Sequence, residues 1–250
     1  MAGSETMLPV EGRVIAVSGA SRGLGRAIAE RLYQDGYALS LGVRDPAGTM
    51  KRLGFDPQRV SAHRYDALDR DTADGWIAQT LDRHGRLDGL VNNAGIFKPS
   101  GFGPTSFADD GEADLDAMWE VNVKGPYRVT RAALPALRAC GQGRIVNIAS
   151  TDGKRVRDAS ASLGYVMSKH ALVALSHAAK FAGWEEGLRV TALCPGAIET
   201  ELIASVPGAT PSGNRLAPET VAEIVGLLMR LPNSATVSEL VVNTRLESTF

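Results

Sequence analysis

The sequence predicts an α/β protein, with one domain in which about seven parallel strands form a doubly wound sheet with helices on both faces. Three observations predict this fold. Apolar runs alternate with helix-like segments along the whole chain. Several of these runs are rich in Val, Ile and Leu without strict alternation, as expected for strands covered on both faces. No internal repeat or low-complexity linker divides the 250 residues, so a single domain accounts for them.

The elements follow one another in strand–helix order, which is typical of consecutive βαβ units and hence of a parallel sheet. Strands are predicted at 13–19, 37–43, 59–65, 87–93, 143–150, 188–194 and 238–243. Helices are predicted at about 24–35, 46–54, 69–84, 113–139, 163–186 and 217–230. Residues 1–10 are interpreted as a flexible N-terminus and residues 201–219 as a lid over the ligand site.

Composition excludes several classes of function. A formal net charge of −1 gives no electrostatic reason to expect nucleic acid as a partner. No apolar run approaches the roughly 20 residues that span a bilayer, and the first residues lack the apolar core of a signal peptide. We therefore expect a cytoplasmic protein without a membrane partner. Cys140 and Cys194 are interpreted as reduced thiols, and the four histidines form no metal-ligand pattern, so no metal is expected.

A glycine-rich stretch, "SGASRGLGRAIAE", follows the first strand. Gly19, Gly23 and Gly25 have the spacing GxxxGxG, a variant of the GxGxxG dinucleotide fingerprint, with Ser21, Arg22 and Leu24 among them. Such a loop needs a tight turn, a bare backbone close to a phosphate, and a helix N-terminus aimed at that phosphate. Glycines also simply make turns, but this position between the first strand and the first helix favours a Rossmann-like phosphate site.

The residues after the second strand bear on the choice of cofactor. A carboxylate there would bind the ribose 2′-hydroxyl of NAD, whereas an arginine would receive the 2′-phosphate of NADP. Arg44 occupies this position, and Arg22 could reach the same phosphate. Both could instead be surface arginines, and Asp45 lies one residue late for the NAD role. NADP(H) is favoured, and NAD(H) stays open.

Parallel sheets of this kind bind ligands at the carboxyl ends of their strands, so the residues that follow the other strands are candidates. Small residues and amides after the fourth strand would let an adenosine lie flat while side chains tie neighbouring strands together. The serine after the fifth strand lies in no GxSxG elbow, which disfavours a hydrolase triad. The last predicted strand ends near the C-terminus, is followed by no further element, and contributes no candidate. The candidates are Asp66, Asn93, Ala94, Gly95, Ser150, Pro195, Gly196 and Thr200.

The stretch "GYVMSKHAL" places Tyr165 and Lys169 four residues apart, hence on one face of the predicted helix. A free phenol has a pKa of about 10, too high for a base at neutral pH. A neighbouring ammonium favours the phenolate and lowers that pKa. The pair can therefore make a phenol that exchanges a proton near neutrality. By itself, this spacing is common.

Together these motifs resemble the short-chain dehydrogenase/reductase family, in its single-domain branch. The motifs "SGASRGLG", "NNAG", "VNVKG", "GRIVNIAS", "YVMSK" and "CPGAIET" occur in that order, and the resemblance covers about residues 11 to 243. It implies that Tyr165 is the general acid/base and that Lys169 lowers its pKa and binds the nicotinamide ribose. It implies that Ser150 holds the substrate oxygen and that Asn122 anchors a water that links Lys169 to solvent.

The resemblance also implies how the cofactor and substrate meet. Ile198 and Thr200 would contact the nicotinamide carboxamide, and hydride would pass between the nicotinamide and a small carbonyl or alcohol substrate. The resemblance further implies that the two long helices form the interface of a homodimer or homotetramer. Two alternatives stay open: a cofactor-binding regulator or scaffold without activity, and an isomerase or epimerase of the extended branch, for which 250 residues leave no separate substrate domain.

Four segments depart from the family pattern or vary within it. The segment "TDGKRVRDASASLG" between Ser150 and Tyr165 is longer than usual and carries several charged residues. Its cations could bind an acidic substrate, or the segment could simply be solvated. Loops 96–114 and 201–219 are expected to determine specificity, with Phe97, Phe102 and Phe107 either lining a pocket or pinning the first loop. The ending "SELVVNTRLESTF" lacks the family's usual glycine-containing tail.

Overall fold

The computed structural model describes residues 7–100, 111–157, 161–204 and 210–244. Its centre is a seven-stranded sheet in the order β3-β2-β1-β4-β5-β6-β7, with every neighbouring pair parallel. The predicted doubly wound parallel sheet is confirmed. The strands are β1 (Val14–Ser18), β2 (Ala38–Val43), β3 (Val60–Arg64), β4 (Gly89–Asn92), β5 (Arg144–Ile148), β6 (Arg189–Pro195) and β7 (Glu239–Val242).

Helices connect the strands and cover both faces of the sheet. A π-helical turn, Glu120–Lys124, joins α4 to α5, and a 3₁₀ turn, Thr151–Gly153, follows β5. The helices are α1 (Gly23–Asp35), α2 (Pro46–Leu53), α3 (Thr72–His84), α4 (Gly111–Trp119), α5 (Gly125–Ala139), α6 (Leu163–Phe181), α7 (Glu201–Ala204) and α8 (Pro218–Arg230).

The core has two halves, one on each face of the sheet. Along β1, Ile15 and Val17 pack into the half formed with α1, α2 and α8, whereas Val14 and Ala16 pack into the half formed with α3, α5 and α6. Successive side chains of a strand point to opposite faces, so a strand covered on both faces must be apolar at every position. This explains why the strands lack polar alternation in the sequence.

The order of the strands reverses at β1. From β1 the chain winds outward through β2 and β3, and it then returns to lay β4 on the other side of β1. The carboxyl ends of β1 and β4 therefore diverge into a crevice, which is where such sheets bind ligands. The glycine-rich loop and the "NNAG" segment lie at this reversal.

Several helix boundaries differ from prediction. The helix predicted at 113–139 is interrupted by the π turn. The helix predicted at 163–186 ends at Phe181, and the turn that follows it contains Gly187, whose φ is +80°. The helix predicted from 69 begins at Thr72, whose hydroxyl bonds the carbonyl oxygens of Asp66 and Asp69. Local side-chain bonds of this kind compete with helix formation.

The structure describes parts of the segments interpreted as a flexible terminus and as a lid. Within residues 1–10, the described part packs on the body: Leu8 is buried and its N–H donates to the carbonyl of Arg230 over 2.7 Å. The segment 201–219 is not all loop, since it contains α7 and the start of α8. In its described part, the N–H of Leu216 donates to Ala197.

No described helix is both long and apolar enough to cross a bilayer. Within residues 7–100, 111–157, 161–204 and 210–244, no group of three or more His, Cys, Asp and Glu is arranged to hold a metal ion.

Candidate active site

A cleft of about 430 Å³ opens at the carboxyl ends of the strands. Residues that are distant in the sequence meet in this cleft, because the loops that follow β1 to β6 all begin at this edge of the sheet. Asn122 is the one sequence-predicted site residue that does not line it. Those that line it are Gly19, Ser21, Arg22, Gly23, Leu24, Gly25, Arg44, Asp66, Asn93, Ala94, Gly95, Ser150, Tyr165, Lys169, Pro195, Gly196, Ile198 and Thr200.

The glycine-rich loop needs its glycines for steric reasons. Gly19 has φ +68°, and a Cβ there would lie 3.0 Å from Cα of Ala94. A Cβ on Gly25, inside α1, would collide with the carbonyl oxygen of Gly19. The first turn of α1 receives no hydrogen bond from the side chain of its N-cap residue, Arg22. This helix N-terminus, with its positive end of the dipole, faces the cleft and suits a phosphate.

The two central strands are tied together beneath this loop. Ser18 Oγ accepts hydrogen bonds from the N–H groups of Asn93 (2.9 Å) and Ala94 (3.0 Å). The Asn93 amide donates to the carbonyl of Ser18 over 3.0 Å. The predicted tying role of this amide is confirmed, and Ala94 and Gly95 are left as a small-residue floor of the cleft.

The end of the cleft beyond β2 carries two exposed arginines. Arg22 and Arg44 both line the cleft, and neither forms an ion pair with a described residue. Asp45 is engaged elsewhere, because it caps α2 by accepting from the N–H of Gly48 (3.0 Å) and lies 3.7 Å from Nη1 of Arg52. The carboxylate of Asp45, which left NAD(H) open as the cofactor, is thus engaged in capping α2.

The residues predicted to be catalytic converge at the other end of the cleft. Ser162 caps α6 and accepts from the N–H of Tyr165 over 3.4 Å, which fixes where the helix presents the phenol. Ser150 lines the same end of the cleft as Tyr165. Lys169 Nζ lies 5.4 Å from the Tyr165 ring centre and donates to the carbonyl of Ile148 over 2.9 Å. A phenol, a hydroxyl and an ammonium thus share one corner.

The proton affinity of Tyr165 differs from the sequence-based expectation. Its pKa lies well above the ordinary phenol value rather than below it, because burial disfavours the phenolate and the carboxylate of Asp152 adds to that effect. The hydrogen bond from Ser150 opposes the shift without reversing it. Burial lowers the pKa of Lys169 to about 8, while Cys194 and Asp152 act in the opposite direction. At neutral pH the phenol therefore keeps its proton.

Asn122 occupies the π turn behind the cleft. Its Oδ1 accepts from the N–H of Ile96 (2.8 Å), and its Nδ2 donates to the carbonyl of Ile96 (2.9 Å) and to Ser168 Oγ (3.1 Å). The side chain thus fastens the segment after β4 to α6. A π turn inside a helix commonly marks a functional position. The role of Asn122 as a water anchor for Lys169 stays a prediction.

Asp152, Glu201 and Asn243 are among the cleft-lining residues that sequence reasoning did not assign to the site. Asp152 lies two residues after Ser150 and could have been found by reading the same strand end further. Glu201 places a carboxylate oxygen 3.4 Å from a Cβ built on Gly23. Asn243 follows β7 and fills the space beside Gly196. The expectation that the last strand contributes nothing is wrong, because β7 ends at the same sheet edge as β6.

The aromatic residues of the loop after β4 divide into two groups. Phe97 lines the cleft and packs on Tyr165 with 5.3 Å between ring centres. It therefore forms part of the wall beside the phenol. Phe102 and Phe107 lie outside the described residues.

Comparison with known proteins agrees with this geometry. The sequence model of the short chain dehydrogenase family matches residues 13–209. Agropine synthesis reductase of Rhizobium rhizogenes is 37% identical over 229 residues, which are 90% of this chain and 50% of the relative. The chain thus spans half the length of the agropine synthesis reductases that it matches.

Solved structures show the same fold. An alcohol dehydrogenase from Thermococcus sibiricus, complexed with 5-hydroxy-NADP, has a TM-score of 0.78 and 31% identity, covering 94% of this chain and 99% of its own. An actinorhodin polyketide ketoreductase with NADPH has a TM-score of 0.79 and 29% identity, covering 95% and 98%. With the family match over most of its length, the chain belongs to the short-chain dehydrogenase/reductase family of oxidoreductases.

Proposed function

We propose that this protein is an NADP(H)-dependent oxidoreductase that transfers hydride between the nicotinamide and a carbonyl or secondary alcohol carbon. The observation that carries the proposal is the meeting of Tyr165, Ser150 and Lys169 at the end of a cleft whose other end is a glycine-rich loop at a helix N-terminus. One end suits a dinucleotide and the other suits proton transfer to a reacting oxygen.

The chain's own residues manage one proton and one oxygen. Because Tyr165 keeps its proton at neutral pH, it donates to the carbonyl oxygen of a substrate as that oxygen gains charge. The Ser150 hydroxyl bonds the same oxygen, and the Lys169 ammonium lies close enough to stabilise the phenolate that forms. The bound cofactor supplies the hydride. A protonated phenol favours the reductive direction, which is also the direction in the names of the reductases above.

The residues of the cleft fit NADP(H) better than NAD(H). Arg22 and Arg44 are exposed at the end where a 2′-phosphate would lie, and Asp45 is committed to capping α2. Guanidinium groups match phosphate oxygens in charge and geometry. The small floor at Ala94 and Gly95 leaves room for a flat adenosine.

Replacing Arg44 tests the phosphate site. Arg44→Gln is expected to weaken NADPH binding about tenfold, since one charge-assisted hydrogen bond at an exposed position is lost. NADH binding should hardly change. Both are measured by quenching of tryptophan fluorescence. The matched control is Arg131→Gln, an exposed arginine that pairs with Asp74 away from the cleft. Equal weakening for NADPH and NADH, or wild-type NADPH affinity, would contradict the assignment.

Asp152 gives a test based on pH. Its carboxylate raises the pKa of both Tyr165 and Lys169, so Asp152→Asn lowers both. Reduction requires a protonated phenol and a charged ammonium, and both are lost as pH rises. The alkaline limb of the kcat/KM profile for reduction is therefore expected to move to lower pH. Asp152→Glu keeps the charge and should keep the limb; a limb unmoved in Asp152→Asn would show that this carboxylate does not act on the pair.

The assembly and location of the protein form part of the same proposal. We propose that the protein is cytoplasmic. We also propose that it forms a homodimer or homotetramer through α4, α5 and α6, because Trp119, Tyr127 and Met167 expose large apolar side chains on these helices. Light scattering after size exclusion measures the mass directly. A monomer at micromolar concentration would overturn this part without affecting the chemistry.

A further inference from the structure

The carboxylate of Glu239, at the start of β7, bonds side chains from two other elements. The Lys154 ammonium donates a hydrogen bond to it, and His177 Nε2 lies 2.6 Å from its Oε1. Lys154 follows the 3₁₀ turn after β5, whereas His177 lies on α6. The Glu239 cluster, defined as Lys154, His177 and Glu239, therefore joins β7 to both elements that carry the serine, the tyrosine and the lysine of the proposed reaction.

The carboxylate at the centre of the Glu239 cluster is fixed in position and charged. Glu239 pairs with Ala192 in the ladder between β6 and β7, and the N–H of Ala192 donates to the carbonyl of Ser238 over 2.9 Å. The hydrogen bond from Lys154 lowers the pKa of Glu239, burial opposes this effect, and the bond from His177 adds to it. The side chains of Lys154 and Glu239 are only 23% and 27% exposed, so water and salt screen this ion pair less than a surface pair.

The 3₁₀ turn after β5 transmits the position of Lys154 to Ser150. Ser150 Oγ accepts from the N–H of Asp152 over 3.1 Å, and this bond occupies a lone pair of Oγ and helps to set the direction of its O–H group. On its other side the turn packs on α6, where a Cβ on Gly153 would lie 2.8 Å from the carbonyl oxygen of Lys169. The turn is thus held between α6 and the ion pair to β7, so a shift at Lys154 displaces Ser150.

The Glu239 cluster lies behind the proposed reaction centre and not in the cleft. Its three members do not line the cleft. Cys194 of β6, which is fully buried, is within electrostatic reach of both the cluster and the catalytic lysine. Burial raises the pKa of this thiol to about 11, Glu239 adds to that effect, and Lys154 and Lys169 oppose it. Any effect of the cluster on the reaction therefore passes through the residues that it holds.

We propose that Glu239 is a positioning residue, which acts through Lys154 to hold Ser150 in register with Tyr165 and Lys169. This inference rests on the proposed oxidoreductase function. A hydroxyl that must meet a substrate oxygen together with a phenol tolerates little displacement, because misplacement by about 1 Å can cost up to 10²-fold in rate. Groups behind a site supply this accuracy by fixing the residues that touch the substrate.

The test is a double-mutant cycle on the ion pair, read as separate effects on kcat and KM. The substrate is the carbonyl compound reduced fastest in a screen that includes 4-nitrobenzaldehyde and cyclohexanone. Glu239→Gln and Lys154→Met are each expected to lower kcat about tenfold, while KM and the affinity for NADPH stay within threefold of wild type. The double variant should lose no more than about twofold beyond either single variant, because both substitutions break the same link.

Conservative and control variants separate positioning from general stability. Lys154→Arg keeps the ion pair and should keep kcat within threefold of wild type. Asp74→Asn breaks the exposed pair between Asp74 and Arg131, which is away from the cleft, and should leave kcat unchanged. Melting temperatures are measured for every variant, and kcat is compared well below the lowest of them. If Glu239→Gln does not fold, Glu239→Asp replaces it, with the same expected direction.

Two results would overturn the positioning role. The first is wild-type kcat in folded Glu239→Gln and Lys154→Met, which would leave the ion pair with an effect on stability alone. The second is multiplication of the two losses in the double variant, which would show that Glu239 does not act through Lys154. A wild-type protein that binds no NADPH and reduces no carbonyl compound would refute the proposed oxidoreductase function, and the inference would fall with it.

Discussion

Tyr165→Phe is expected to lower kcat for carbonyl reduction by about 10²–10⁴-fold, the usual contribution of a positioned general acid. The substitution removes only the hydroxyl, which lies at the same end of the cleft as Ser150 and would meet the substrate oxygen. The ring remains, so its packing on Phe97 is kept. NADPH affinity, measured by tryptophan fluorescence, should stay within a few-fold of wild type.

The two readouts separate chemistry from folding. Loss of turnover with intact NADPH binding is the expected result. Turnover within tenfold of wild type would show that another group supplies the proton. A variant that fails to bind NADPH would show that Tyr165 holds the cofactor in place, and the melting temperature then tells whether the fold survives. Ser150→Ala provides a second probe of the same oxygen.

Gly25→Ala is expected to weaken NADPH binding about tenfold or more and to lower stability by about 1–3 kcal/mol, the usual range for overpacking a closed site. A Cβ there collides with the carbonyl oxygen of Gly19 and with the amide of Asn93. Neither can yield freely, because the first belongs to the turn and the second ties β4 to β1. Urea unfolding and fluorescence quenching measure the two effects.

Gly75→Ala is the matched control, because Gly75 also lies inside a helix but has room. The nearest atom to a Cβ there is 3.9 Å away, at the end of the Gln79 side chain. Alanine in a helix interior is favoured over glycine, so this variant should gain roughly 0.5–1 kcal/mol. If Gly25→Ala behaved like Gly75→Ala, close packing of the glycine loop would not explain its sequence.

The parallel sheet and the edge at which it binds ligands could be predicted from the sequence, because both follow from the pattern of apolar residues along the chain. Apolar runs without alternation predict buried parallel strands, and a parallel sheet puts all carboxyl strand ends on one edge. Reading the residues after each strand therefore recovered part of the lining of the cleft. The same rule failed at Asn243 only because β7 was treated as a strand without a following loop.

The protonation states of Tyr165 and Lys169 did not follow from their spacing. Four residues on a helix place Tyr165 and Lys169 on one face, and the sequence argument then assigned the lysine a dominant influence on the phenol. In the structure, desolvation dominates the pKa of both groups, and the charge of Asp152 raises the pKa of both. Burial depends on what several distant segments place around a group, and spacing along one helix carries no information about it.

The sequence by itself determined the order of strands and helices, the glycine loop, the strand-end candidates and the family. Only the tertiary structure showed that Asp45 caps α2, that a π turn contains Asn122, and that Lys154 pairs with Glu239. Helices and strands can be predicted from the local sequence, since the periodicity of the apolar side chains reflects which faces are buried. The direction and protonation of a side chain depend on partners such as Glu239, which come close only when the chain has folded.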